Sequence, residues 1–303
     1  MPAQKVLSHP AEPYDTRQRK ARLPIQTLLT DHEKDHDMGI NRIDHAAIYV
    51  GDLGKALSWY EDVLDMTVLS RTDDTVHLAC RGKAADLTLV KGTCSLDNFT
   101  FGVDDEQDLD RVAATLTKEG VAHERFAGDS RPGEGAALKF HLPSGHELRL
   151  ATGGTERRAG ISDFDSKGSF APSDMDHINL LGEVEPQVMR DFLMMIGFKS
   201  SLNISINGEL AGIWLRGSEY DHDIAYMKAV NPAHRLHHVA FAVEDGNHYF
   251  RLSDRFISDM VSFQASDGHY MFLGLDAVNV EFGWEVVRYH LSDDFETIWR
   301  EWN

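Results

Sequence analysis

The segment MDHINLL at positions 175–181 resembles an earlier segment of the same chain, IDHAAIYV at positions 43–50. Each opens an apolar, alternating run with an Asp-His pair, which is typical of a buried strand. Further along each copy, FTFGVDD at 99–105 corresponds to VAFAVED at 239–245. The sequence therefore predicts an internal duplication whose two copies can be compared position by position.

Each copy contains the pattern β-α-β-β-β twice. Helices are predicted at 55–64, 105–120, 186–196 and 247–258, because apolar residues recur there at helical spacing. Strands are predicted at 42–50, 67–70, 76–80, 87–91, 99–103, 137–141 and 147–151, and again at 177–181, 199–202, 211–215, 224–227, 238–243, 271–275 and 278–284. The predicted fold class is α+β, with two tandem domains, each of two β-α-β-β-β units that form a half-open barrel.

The composition suggests where these domains begin and end. Residues 1–40 are polar and rich in charges, and residues 153–174 are rich in Gly and Ser. The predicted organisation is a polar N-terminal extension (1–40), an N-terminal domain (41–152), a linker (153–174), a C-terminal domain (175–290) and a C-terminal tail (291–303).

Charge and cysteine content narrow the function classes. The chain of 303 residues has a formal net charge of −19, which argues against nucleic acids and anionic membranes as partners. Two cysteines do not make a disulfide framework. No apolar run approaches the length of a membrane span, and the first 20 residues lack the apolar centre of a signal peptide. We therefore expect a cytoplasmic protein.

Potential metal ligands occupy matched positions in the two copies. The second copy has His177, His238 and Glu281, and the first has His45, Asn98 and Glu147 in their places. The spans from the first to the last of these positions are nearly equal in the two copies. Two histidines and one carboxylate form the ligand set of non-haem Fe(II) oxygenases. The sequence thus predicts a complete metal site in the second copy alone.

Three neighbouring residues offer alternatives or additions to this set. His237 competes with His238, but adjacent residues of a regular strand point to opposite faces, and His238 is the residue that aligns with the first copy. Glu285 competes with Glu281. His222, at the start of a predicted strand, is a candidate acid/base because imidazole titrates near neutral pH; the alternative is a surface histidine between two acidic residues.

Four motifs of the second copy together resemble one enzyme family. They are DHIN at 176–179, HDIA at 222–225, LHHVAF at 236–241 and VEFGW at 280–284. In this order they are similar to the type I extradiol ring-cleaving dioxygenases of the vicinal oxygen chelate superfamily, in the branch of the biphenyl-2,3-diol and catechol 2,3-dioxygenases. The resemblance covers roughly residues 41–290, and so includes both predicted domains.

The resemblance implies a mechanism and the residues that perform it. It implies an Fe(II) ion, with Mn(II) as the alternative, bound by His177, His238 and Glu281. It implies an acid/base at His222 and pocket-lining positions at Asn179 and Trp214. The expected reaction incorporates both atoms of O2 into a small aromatic diol and opens the ring beside the diol to a semialdehyde-type product, as in aromatic hydrocarbon catabolism. Such enzymes tend to be homo-oligomers.

The chain also departs from the family between 261 and 277, where the segment is short. Relatives have a His and a Tyr near the iron in this region, and His269 and Tyr270 are the candidates to replace them. Two other function classes remain open at this point. One is a metal-dependent isomerase or lyase of the glyoxalase type in the same superfamily, and the other is a non-catalytic protein that binds an aromatic ligand.

Overall fold

The computed structural model describes residues 39–128, 130–153, 170–218, 222–229, 235–242 and 251, and the backbone of 261–266 and 269–274. The elements of the first half are β1 (Ile40–Val50), α1 (Leu53–Ser58), β2 (Thr67–Arg71), β3 (Thr75–Ala79), β4 (Leu87–Lys91), β5 (Ser95–Val103), α2 (Glu106–Lys118), β6 (His123–Phe126), β7 (Ala137–His141) and β8 (Glu147–Ala151). Those of the second half are β9 (Asp174–Gly182), α3 (Pro186–Met195), β10 (Lys199–Ile206), β11 (Glu209–Arg216), β12 (Ile224–Lys228), β13 (Leu236–Ala242), β14 (Val261–Ser266) and β15 (His269–Gly274).

The first sheet consists of two β-α-β-β-β units that meet side by side. Its strand order is β2-β3-β4-β1-β5-β8-β7-β6. The central strands β1 and β5 pair antiparallel, and each has a parallel neighbour on its other side, β4 for β1 and β8 for β5. The predicted fold class is confirmed by this arrangement together with the structural relatives reported below.

The second sheet repeats the plan up to its fifth strand. Its order in the described residues is β10-β11-β12-β9-β13-β15-β14. Strand β9 pairs parallel with β12 and antiparallel with β13, as β1 does with β4 and β5. The next neighbour differs, because β15 runs antiparallel to β13, with Tyr270 opposite Phe241. Strand β8, which occupies this place in the first sheet, is parallel to β5.

The predicted pairing of 271–275 with 278–284 stays a prediction, because 278–284 lies outside the described residues. Strand β15 pairs with β14, a strand that was not predicted, in a register that runs from Val261 opposite Gly274 to Ser266 opposite His269. The two positions between these strands are Asp-Gly in the sequence, a dipeptide that strongly favours a two-residue hairpin when alternating strands flank it. The predicted strand 278–284 lies outside the described residues, as does the helix 247–258 apart from Arg251.

The elements of the first half depart from the prediction in two details. The helix predicted at 55–64 is α1 followed by a π-helical turn, Trp59–Val63. The short strand β6 was not predicted, because its sequence HERF has no apolar alternation. Helix α2 begins where the sequence indicates it. The Asp105 carboxylate accepts hydrogen bonds from the backbone N–H groups of Gln107 and Asp108, and the Asp108 carboxylate accepts one from the backbone N–H of Asp105.

The apolar core continues from one sheet into the other. Phe101 of β5 contacts Phe198 edge-to-face, with ring centroids 4.9 Å apart, and both belong to one cluster of buried residues. Arg42 forms a partly buried ion pair with Asp174. Gly217 lies against β1 so closely that an added Cβ would come within 2.8 Å of the Asn41 carbonyl oxygen. The two halves are therefore fixed against each other by apolar, ionic and backbone contacts.

A turn of the first half also holds the residue that precedes β13. The Arg235 carbonyl oxygen accepts a hydrogen bond from His146 Nε2 at 2.8 Å, and the Arg235 guanidinium donates to the Ser144 carbonyl oxygen. Ser144 Oγ lies 2.7 Å from His146 Nδ1, so the hydroxyl donates to the neutral ring. Arg235 has φ of 62°, in the left-handed region that a non-glycine residue adopts at a cost. These contacts keep the start of β13 in that conformation.

None of the helices in the described part of the chain has the length and apolarity that a membrane crossing requires.

His146 makes the stability of the protein depend on pH. Burial lowers the pKa of His146 from 6.5 to about 4, although its hydrogen bond to Arg235 opposes the shift. The unfolded state therefore binds more protons between pH 6.5 and 4, so the stability that neutral His146 contributes is complete above pH 6.5 and is lost as the pH falls towards 4. We expect the free energy of unfolding of the wild type to fall by about 2 kcal/mol more than that of His146→Asn between about pH 7 and pH 5. Urea titrations at both pH values measure this, and equal falls would contradict it.

Candidate functional site

The pairing of β9 with β13 contains two β-bulges, and both lie at the residues singled out from the sequence. Met175 and His177 pair with consecutive residues of β13, so Asp176 is an extra residue of β9. Leu236 and His238 pair with consecutive residues of β9, so His237 is an extra residue of β13. A bulge interrupts the alternation of side chains between the two faces of a sheet. Asp176 and His237, the bulged residues, are therefore available as hydrogen-bond partners for His177 and His238.

Four buried side chains form a continuous hydrogen-bonded row across these bulges. Asp176 Oδ2 lies 2.6 Å from His177 Nδ1, and His177 Nε2 lies 2.8 Å from His238 Nε2. His238 Nδ1 lies 2.6 Å from His237 Nδ1. All four residues are less than a tenth exposed. The expectation that His237 points to the opposite face from His238 is wrong, because the bulge brings both rings to the same side.

The environment keeps the histidines of β13 neutral. Burial and, less strongly, the neighbouring His177 lower the pKa of His237 to about 4. Burial also lowers the pKa of His238 well below its usual value, and His237, His177 and His222 act in the same direction. A neutral imidazole offers a lone pair, which is the form that binds a metal.

The two facing nitrogens fit two adjacent ligand positions of a divalent metal. Metal–imidazole bonds of about 2.1 Å at right angles separate two nitrogens by about 3 Å. The separation of 2.8 Å between His177 Nε2 and His238 Nε2 is close to that value. The contact of His177 Nδ1 with Asp176 leaves Nε2 as the ligating atom, which is the usual way in which a carboxylate orients a metal-binding histidine.

The described residues supply two of the three predicted ligands. Glu281, the third, lies outside them, and so does its competitor Glu285. Within the described residues no group of three or more His, Cys, Asp or Glu side chains has a metal-binding arrangement. The donors that are present, two imidazoles with a carboxylate behind one of them, suit Fe(II) or Mn(II).

The candidate acid/base and two predicted pocket residues lie beside this pair. The His222 ring is 4.3 Å from the His177 ring and 6.4 Å from that of Trp214, measured between centroids. Asn179 lies opposite His238 in the sheet; its Nδ2 donates to the Met227 sulfur, and its Oδ1 has no hydrogen-bond partner in the described part of the chain. A buried amide oxygen of this kind is available to a ligand hydroxyl.

The other two predicted pocket residues, His269 and Tyr270, lie on β15. Tyr270 pairs with Phe241, three positions along β13 from His238. The backbone thus places both residues on the strand next to the one that carries His238.

A buried aspartate anchors the approach to His222, and this residue was not singled out from the sequence. The Asp223 carboxylate accepts hydrogen bonds from the backbone N–H groups of Gly217 and Ser218 and from the Ser218 hydroxyl. Burial raises the pKa of Asp223, while these bonds oppose the rise. In the first half, Asp86 binds the Cys80 N–H in the same way. The repeated Asp before a strand was the signal, visible as DL at 86–87 and DI at 223–224.

The strand registers confirm the alignment of the two copies. Ala47 lies opposite Asn98 and beside Thr88, and Asn179 lies opposite His238 and beside Ala225. Asn98 therefore occupies the place of His238, as the sequence comparison predicted. By the same registers Ala85, which precedes Asp86, occupies the place of His222.

The side chains of the first half use this same backbone differently. His45 Nε2 lies 2.7 Å from the Thr88 hydroxyl, and His77 Nδ1 lies 2.8 Å from the same oxygen. Thr88 has the place of Ala225, which has no side-chain polar group to engage His177. Glu147, the counterpart of the predicted third ligand, forms an ion pair with Arg149 at 2.7 Å. In the first half, the residues at the positions of His177 and Glu281 are thus occupied by hydrogen bonds and an ion pair.

A buried arginine of the first half adds to the difference between the polar contacts of the two halves. Arg131, from the segment between β6 and β7, lies 3.3 Å from Asp44 Oδ2 and 3.6 Å from Glu134 Oε1. Its side chain is 2% exposed. Asp44 is the bulged counterpart of Asp176. In the first half this carboxylate pairs with a guanidinium, whereas in the second half the corresponding carboxylate contacts a histidine.

Comparisons with known proteins agree with this geometry. Residues 42–150 match the family model described as Glyoxalase/Bleomycin resistance protein/Dioxygenase superfamily. A manganese-dependent 2,3-dihydroxybiphenyl 1,2-dioxygenase of Geobacillus genomosp. 3 is 24% identical over 71% of this chain and 72% of its own length. A metapyrocatechase of Geobacillus stearothermophilus is 25% identical over 67% of this chain and 65% of its own length.

Solved structures give the same result for the fold. The 2,3-dioxygenase LapB of Pseudomonas sp. KL28 is 25% identical, with a TM-score of 0.63 over 75% of this chain and 83% of its own. A variant of homoprotocatechuate 2,3-dioxygenase from B. fuscum is 25% identical, with a TM-score of 0.62, and the match spans 63% of its length, slightly under two thirds. The resemblance to extradiol dioxygenases and the enzyme class predicted from the motifs are confirmed by these matches: residues 42–150 fit the superfamily model, and the similar proteins are named as dioxygenases.

The ion cluster around Arg131 gives a prediction about stability. Removal of the guanidinium leaves the Asp44 and Glu134 carboxylates buried without their cation, so we expect Arg131→Met to lower the free energy of unfolding by about 3–5 kcal/mol. Arg125→Met is the matched control, because Arg125 pairs with Glu106 at the surface and such pairs contribute less than about 1 kcal/mol. Urea unfolding of the three proteins measures both effects. Equal stability losses in the two variants would contradict the structural role of Arg131.

Proposed function

We propose that this chain uses a divalent metal, Fe(II) in the first instance, to cleave a catechol-type aromatic diol with O2 to a ring-opened, semialdehyde-type product. The metal would be held by His177, His238 and Glu281. The observation that carries the proposal is the pair of buried imidazoles whose Nε2 atoms lie 2.8 Å apart. The relatives named above as dioxygenases of aromatic diols support the same reaction class.

The donor atoms select a class of divalent metal that includes both iron and manganese. Two imidazoles and one carboxylate bind either ion, and one relative is named as manganese-dependent. When bound, such a metal supplies Lewis-acid binding of the two diol oxygens and a path for electrons between the ring and O2. Asp176, hydrogen-bonded to His177, orients that ligand and increases its basicity.

His222 is the group that we propose to move protons. It is 8% exposed and its ring stacks at an angle beside His177, so it can reach a ligand that approaches the metal ligands. The neighbouring Asp223 fixes the backbone from which His222 projects, because its carboxylate binds the Gly217 and Ser218 N–H groups. A positioned imidazole can accept a proton from the diol and return it to the product.

The remaining predicted pocket residues have distinct roles in the proposal. The Asn179 Oδ1 atom accepts a hydrogen bond from a substrate hydroxyl, and Trp214 supplies an aromatic wall next to His222. His269 and Tyr270 are proposed to line the pocket from β15. A cytoplasmic location and a homo-oligomeric assembly stay predictions.

The metal and the reaction are tested together in a first experiment. Protein freed of metal and reloaded anaerobically with Fe(II) or Mn(II) is expected to bind one equivalent, and addition of a catechol and air should give O2 uptake and a coloured ring-fission product. His238→Ala should lose metal binding, because one of the two described nitrogen donors is gone. Metal binding by the wild type without O2 uptake on any of a panel of catechols would contradict the dioxygenase reaction and favour a binding or isomerase role.

A second variant separates proton transfer from metal binding. His222→Ala should retain the bound metal but turn over about 10²–10⁴-fold more slowly, because a positioned acid/base contributes about that factor. The rate is measured under substrate saturation, and the metal content of the same sample is the control. An unchanged rate would show that His222 has no acid/base role.

A further inference from the structure

His237 has a function in the fold that neither the ligand set nor the acid/base accounts for. It is the extra residue of the β13 bulge, it is buried, and its Nδ1 lies 2.6 Å from Nδ1 of His238. The two rings are inclined at 71°, with centroids 4.8 Å apart. The Nδ1 contact therefore joins His237 to the side of His238 that faces away from His177.

The same backbone device is present in the first half. Ile48 and Ala47 pair with Leu96 and Asn98, so Asp97 is the extra residue at the corresponding bulge of β5. Asp97 Oδ2 accepts a hydrogen bond from Asn98 Nδ2 at 2.8 Å. In both copies the bulged side chain thus binds the side chain of the next residue. The bulge belongs to the fold, and the groups placed on it differ between the copies.

The chemistry of a metal-bound imidazole decides which way the His237–His238 hydrogen bond runs. A neutral His238 that gives its Nε2 lone pair to a metal carries its proton on Nδ1. That proton must then be donated to His237 Nδ1, and His237 must carry its own proton on Nε2. Without an acceptor at this point, the buried Nδ1–H of His238 would be left unsatisfied, or the proton would move to Nε2 and block the metal.

We propose that His237 is a positioning residue: by accepting from Nδ1 of His238, it fixes the tautomer and the ring orientation in which His238 binds the metal. It acts on His238 as Asp176 acts on His177: each is the bulged residue directly before the histidine on the same strand. The inference rests on the proposed function, since it requires that His238 is a metal ligand.

Metal affinity tests this role directly. His237→Phe and His237→Ala remove the acceptor, the first with little loss of ring volume, and His237→Asn replaces it with an amide oxygen. We expect the Kd for Mn(II) or Co(II), measured by calorimetry on the metal-free protein, to rise about 10–100-fold in the first two variants. His237→Asn should recover most of that affinity. The visible spectrum of bound Co(II) should shift in the Phe and Ala variants and return towards that of the wild type in the Asn variant.

The first half provides the matched control. Asp97→Ala removes the bulged acceptor at the equivalent position and should leave the Kd unchanged. A Kd within about threefold of the wild type in whichever of the Phe and Ala variants folds, as judged by circular dichroism, would overturn the role of His237 while leaving the proposed function intact. Failure of the wild type to bind any divalent metal would instead refute the proposed function.

Discussion

The candidate site depends on where β9 and β13 fall out of register. A regular antiparallel pair directs successive side chains to opposite faces, so it would separate Asp176 from His177 and His237 from His238. Each bulge adds one residue to one strand and brings the two side chains together. The row of hydrogen bonds from Asp176 to His237 follows from this irregularity. The surrounding sheet contributes rigidity, because both strands are buried and central in it.

The two halves have the same backbone arrangement but place different side chains on it. Both have bulges at corresponding positions and both hold a buried aspartate before the fourth strand of a unit, Asp86 or Asp223. The difference lies in a few side chains: Thr88 engages His45 where Ala225 leaves His177 to face another histidine. Arg131 places a permanent positive charge beside Asp44 in the half without a predicted metal. Fold alone would not distinguish the halves, but the polar partners of each histidine do.

The sequence predicted those features that depend on regular periodicity. Strand β4, β7 and β8 were predicted residue for residue, and the alignment of Asn98 with His238 agrees with the registers. Bulges were not foreseen, because a single extra residue leaves the apolar alternation almost unchanged, and the orientation of His237 was therefore wrong. The β14–β15 hairpin was not predicted although Asp267-Gly268 is a strong local signal, because the pattern of the first copy has no two-residue hairpin at the corresponding place. Arg131 could not be placed, since its partner Asp44 is 87 positions away in the chain.

The half without a predicted metal still contributes to the geometry of the other. Strand β13 starts at Leu236, directly after Arg235, whose left-handed backbone is held by His146 and Ser144 of the first half. The Arg235 carbonyl oxygen also accepts from the Leu181 N–H of β9, so one oxygen joins the first half to both strands of the candidate site. A shift of this oxygen would move Leu236 and with it the bulge at His237, because only two peptide units separate them. The first half therefore helps to determine where the histidines of β13 lie, which gives a physical reason for a first copy that lacks the predicted metal ligand set.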